Sequence, residues 1–100
     1  MTKTIGVELY PDERDFIIEH IAYALSDKLC KKIKKAKRNK EDIIKLRFSR
    51  YELEQLIRNL SFEANHNKKR TIQQLAGEMA EKLESYEFLL KDETNAFFVI

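Results

Sequence analysis

Turn-forming residues are scarce in this chain, with two glycines and one proline among 100 residues. That scarcity argues against a fold of many short strands joined by tight turns and favours a few long helices. The single cysteine, Cys30, excludes an internal disulfide and points to a reducing, intracellular compartment, so a cytoplasmic location is expected. Long apolar runs are missing as well. The longest pieces, such as Ala96–Ile100, fall far short of the ~20 residues that a membrane helix needs. The N-terminal residues form no apolar run of signal-peptide length. No membrane partner is therefore expected. Tryptophan is absent, and the ten aromatic residues are six phenylalanines and four tyrosines.

Acids are absent from one stretch in particular. Between Lys28 and Lys40, eight of thirteen residues are basic and none is acidic: Lys28, Lys31, Lys32, Lys34, Lys35, Lys37, Arg38 and Lys40. The flanks carry the opposite sign. Residues 1–27 hold six acids and two bases, residues 28–70 five acids and fifteen bases, and residues 71–100 six acids and two bases. The net charge of +2 thus hides a positive centre between two negative ends. Such a centre attracts a phosphate-bearing ligand, a nucleic acid, or the acidic ends of this or another copy.

The length fits a single domain over residues 1–100, with enough apolar sequence for one modest core. Ile5, Val7 and Leu9 alternate with Gly6 and Glu8, predicting a strand at about 4–9. Pro11 with Asp12, Glu13 and Asp15 suits a helix start. A long first helix is predicted over 11–38, its inner stripe formed by Ile17, Ile21, Leu25, Leu29 and Ile33. A polar turn at Asn39–Asp42 precedes a second alternating strand, Ile44, Leu46 and Phe48. Ser49 with Glu52 forms a capping box for a second helix, and Thr71 with Gln74 forms another for a third. The second helix ends at Asn65–Asn67, where asparagine tolerates a left-handed cap. The third runs to about Lys91, with Ile72, Leu75, Ala76, Met79, Leu83, Tyr86 and Leu90 inward. The short link makes these two an antiparallel hairpin. A turn at Asp92–Asn95 and an apolar terminal strand, or docking segment, at 96–100 complete the reading. The fold class is mainly α: a long N-terminal helix plus an antiparallel helical hairpin, with two or three short edge strands. An α+β arrangement is the alternative.

Few residues suggest chemistry. Lysines at 28–40 bind phosphates as point charges, without sequence specificity, although no aromatic is interleaved to stack bases. The plainer alternative is a solvated helix end whose lysine stems cover apolar surface. Lys68, Lys69 and Arg70 form a second basic cluster before the third helix, where free amides and the Thr71 hydroxyl would assist an anion. Glu63 and His66 have the i, i+3 spacing of carboxylate-bridged metal proteins, but no second such pair accompanies them, so no metal is expected. His20 lies at the shoulder of the first stripe, and Cys30 lies between core positions as a small hydrophobe. No nucleophile, base and oxyanion-binding group combine, so neither an enzyme nor a cofactor is expected. The expectation is a small non-catalytic interaction or regulatory module acting as a homo-oligomer, with a dimer favoured. The alternative is a nucleic-acid or phosphate-ligand binder using the basic helix end and the hairpin loop.

Overall fold

The computed structural model describes residues 3–99, and side chains for residues 3–90. In chain order the elements are β1 (Thr4–Leu9), α1 (Pro11–His20), a single 3-10 turn (Ala22–Ala24), α2 (Asp27–Lys35), β2 (Ile44–Ser49), α3 (Arg50–His66) and α4 (Arg70–Val99). The architecture is mostly helical, with a small antiparallel two-stranded sheet.

The alternation in both strands comes from burial of one sheet face. β1 pairs with β2 so that Ile5 meets Phe48, Val7 meets Leu46 and Leu9 meets Ile44. On the outer face Glu8 lies opposite Lys45, and Arg47 lies across Gly6. The Arg47 guanidinium donates to the Thr4 hydroxyl at 2.9 Å and to the Thr4 carbonyl at 3.0 Å. On the helix side β2 packs against α3 and β1 against α4. Phe48, Ile17, Ile21, Leu29, Ile33, Leu53, Leu56, Leu60 and Leu83 form the solvent-free centre.

The expected helix over 11–38 is broken in two. All five stripe residues, Ile17 through Ile33, are buried as expected. Yet steps of four drift around a straight helix, so sixteen residues rotate the stripe by about 160°. Ile17 and Ile33 would then point in nearly opposite directions. A break resets the phase, and both ends of the stripe reach one core. Ser26 makes the break: its backbone is extended, and its hydroxyl accepts from the Leu29 amide at 3.3 Å. Gln55, only 8% exposed, reaches from α3 and accepts from the Ser26 amide at 3.1 Å. The end of α2 is held by Arg14, whose guanidinium donates to the Ala36 carbonyl at 2.8 Å.

The turn after α2 is built on Asn39, whose side-chain oxygen accepts from the amides of Glu41 and Ile43. Asp42 there adopts φ 63°, a left-handed conformation that an acidic residue tolerates better than most. The Ser49–Glu52 capping box forms in both directions, at 3.2 and 2.9 Å. The Thr71–Gln74 box does not form. Asn67 instead orders the link before α4: its side chain accepts from the Lys69 amide, and the Gln73 side chain donates to its carbonyl. Helix α4 therefore starts at Arg70, with Thr71 exposed in its first turn. Asn67 itself is extended (φ −67°), not left-handed.

Caps with formed hydrogen bonds carry measurable stability. Ser49→Ala and Ser26→Ala should each cost about 1 kcal/mol, and Thr71→Ala well under that. Chemical unfolding midpoints check this, and a Thr71 variant as weakened as the other two would contradict the assignment.

Gly77 of α4 faces Ala64 of α3, where an added methyl would sit at an ordinary 3.8 Å. The turn at 92–95 and the strand at 96–100 are replaced by helix through Val99. Residues 92–95 hold no glycine or proline, and extending an existing helix adds a hydrogen bond for each residue ordered. Among the described residues the two strands pair with each other. Ile100 and the side chains of Phe97, Phe98 and Val99 lie outside the described residues, as does their expected docking. Among the described residues, no helix is long and apolar enough to cross a membrane.

Candidate functional site

Two surfaces of opposite sign stand out. The first is the outer face of α2. Leu29 and Ile33 bury the inner side of this short helix, which turns Lys28, Lys31, Lys34 and Lys35 to solvent. None of the four has an ion-pair partner among the described residues, and neither do Lys37 and Lys40 in the following segment. Lys32 differs. Its ammonium lies 3.0 Å from the Glu52 carboxylate and 5.3 Å above the Phe48 ring, so it is a structural side chain. Arg38 has left the helix and pairs with Asp42 at 3.0 Å. Arg38 therefore lies off the lysine face of α2, which ends at Lys35. Beside the patch, Thr4, Ser26, Lys28, Lys32, Ser49 and Tyr51 contribute to a cleft of about 340 Å³.

Lys68, Lys69 and Arg70 do not join this surface. Lys32 contacts the first turn of α3, whereas Lys68 follows its last residue. At 1.5 Å per residue α3 is about 25 Å long, so the two basic clusters lie toward opposite ends of it.

The Lys32–Glu52 pair has a pH signature. Burial alone would raise the Glu52 carboxyl, but the Ser49 amide and the Lys32 ammonium outweigh it and hold its pKa below the ordinary glutamate value. A depressed carboxylate adds stability that is fully present above its unfolded pKa and is lost as pH falls through the folded one. The domain should therefore weaken as pH drops below about 4.3. Glu52→Gln, which keeps the capping geometry, should flatten part of that decline in thermal melts across pH. An unchanged acid limb would show that the pair contributes nothing.

The second surface belongs to α4. Ala76, Met79, Ala80, Leu83 and Leu90 form its inner stripe. Phe88 and Leu89 fall outside that stripe and are 67% and 53% exposed. With Ile57 of α3 they line an open groove of about 720 Å³ bordered by Glu81, Glu84 and Glu87. On the opposite flank of α4 a smaller groove of about 260 Å³ has an apolar floor of Phe16, Leu75 and Met79 and an acidic rim of Asp12, Glu13 and Glu78. Leu75, expected inward, is 43% exposed there. The sequence reading missed the Phe88–Leu89 surface, although the signal was present: neither residue fits the 76–79–83–90 stripe. Lys82 closes the space beside this smaller groove, with its ammonium 2.6 Å from Glu13 and 5.1 Å above the Tyr10 ring.

Glu63 serves structure: the Tyr23 hydroxyl donates to one oxygen at 3.2 Å and the Asn67 amide to the other at 2.9 Å. His66 packs on Phe62, with ring centroids 4.5 Å apart. Among the described residues no group of three or more histidine, cysteine or acidic side chains could hold a metal ion. His20 packs on Phe16, and the Cys30 thiol donates to the Ala22 carbonyl at 3.1 Å. No protein-family model matches the chain, and neither a curated protein nor a solved structure shows significant similarity to it.

Proposed function

We propose that this protein is a non-catalytic interaction module that works by self-association through the outer face of α4. The observation that carries this reading is the pair Phe88 and Leu89, two large apolar side chains adjacent in sequence and open to solvent beside Ile57. A contiguous apolar patch with a polar rim is the usual form of a protein-binding surface. The length of α4 supports the same reading. Its 30 residues make about 45 Å of helix against about 25 Å for α3. The helix α4 is thus about 20 Å longer than its neighbour α3. Light scattering over a wide concentration range tests the proposal: apparent mass should rise above 11.9 kDa with concentration. A constant monomer mass would contradict it.

The unpaired lysines of α2 favour a second reading, binding of nucleic acid or a phosphate-bearing ligand. Changing Lys28, Lys31, Lys34 and Lys35 to glutamine should then abolish retention of duplex DNA of any sequence. It should also lower the steepness of log affinity against log salt by roughly 0.9 for each phosphate that the variant no longer neutralises. Lys32 is left in place because it pairs with Glu52. Filter binding at several salt concentrations reads both, and wild-type protein that retains no DNA at low salt would remove this reading.

A further inference from the structure

Resting on the self-association reading, we infer that the occupant of the α4 groove is the lysine face of α2 from a second copy of the chain. The groove selects its partner by charge. An α4 helix packed on another α4 about Phe88 would bring Glu81, Glu84 and Glu87 against their equivalents, and like charges across an interface repel. The occupant must therefore be basic. The outer face of α2 is the matching surface within this chain, because Lys28, Lys31, Lys34 and Lys35 point outward without an ion-pair partner among the described residues.

The spacing also fits. Three-residue steps place the acids at intervals of about 4.5 Å along α4, and Lys28, Lys31 and Lys35 rise by about 4.5 and 6 Å along α2. The apolar floor is no obstacle to a basic partner. Lysine stems are four methylenes long and lie on apolar surface while their ammonium groups reach outward. The same pairing holds this fold together twice, where Lys32 lies over Phe48 and Lys82 over Tyr10, each also joined to a glutamate. A Lys28 or Lys31 ammonium over the Phe88 ring and on Glu81 or Glu84 repeats that arrangement between copies. Two different surfaces meet. Two such interfaces about a twofold axis close a dimer, and one interface repeated makes an open chain.

A charge-swap pair tests the inference. One variant carries Glu81→Lys and Glu84→Lys, the other Lys28→Glu and Lys31→Glu. Sedimentation at low salt should show each variant alone associating at least about tenfold more weakly than wild type. Mixed in equal amounts, the two should recover association, which also shows that both are folded. Wild-type association should weaken between 0.1 and 1 M salt, as the screening length falls from about 10 to 3 Å. Swaps that leave association unchanged, or a mixture that recovers nothing, would overturn the assignment of α2 while leaving self-association standing, provided Phe88→Ser still disrupts it. Wild-type protein that stays monomeric at every concentration overturns both. A wild type that assembles only when duplex DNA is added would overturn the inference in favour of the nucleic-acid reading.

Discussion

Replacing Phe48 with alanine should cost the domain about 3–5 kcal/mol. The ring has no exposed surface and stands on the inner face of β2, paired across the sheet with Ile5. It also carries the Lys32 ammonium 5.3 Å above its face. Truncation removes the packing of a full ring and leaves a cavity that the sheet and α3 cannot close without shifting. It also takes away the surface on which the Lys32–Glu52 pair rests. A domain of this size is stable by about 5–15 kcal/mol in total, so the variant should lie near the edge of folding. Phe62→Ala is the control. Its ring is 54% exposed against His66, and the change should cost less than about 1 kcal/mol. Urea unfolding gives both values, and equal losses would show that the core has been placed wrongly.

Core and surface differ in how legible they were from the sequence. The β1 and β2 alternations and, Leu75 apart, the inward stripe of α4 were readable because burial of one face imposes a period on the sequence, and the Ser49–Glu52 box was readable as a local capping pattern. The break between α1 and α2 was not read. Ser26 is a good helix cap, but an unbroken run of apolar steps masked it. Summing the drift of that run around a helix would have exposed the conflict. At the start of α4, Thr71 and Gln74 satisfied a local pattern, yet the helix begins one residue earlier, at Arg70, which puts Thr71 inside its first turn. The basic run was plain in the sequence, but its division into outward lysines, a Lys32 tied to Glu52 and an Arg38 tied to Asp42 depends on where α2 ends. The end of α4 shows the same limit. Residues 96–100 are apolar and partly β-branched, yet the backbone continues as helix through Val99 because nothing before it stops the helix.

The second large effect concerns assembly. Phe88→Ser with Leu89→Ser should weaken self-association by about a hundredfold or more, since fully burying each such side chain is worth about 1.5–3 kcal/mol. Folding should barely change, because both residues lie outside the buried stripe of α4. An apolar-to-polar change at an exposed helix position costs little in the monomer. The variant thus separates a surface kept for a partner from one that only supports the fold.

Sedimentation velocity of the wild type and of this double variant, run side by side from micromolar to millimolar concentration, tests the central claim most directly. The account predicts a wild type whose sedimentation coefficient rises with concentration and a folded variant that stays at the monomer value throughout. A wild type that is monomeric across the range, or a variant that assembles as readily as the wild type, would contradict it.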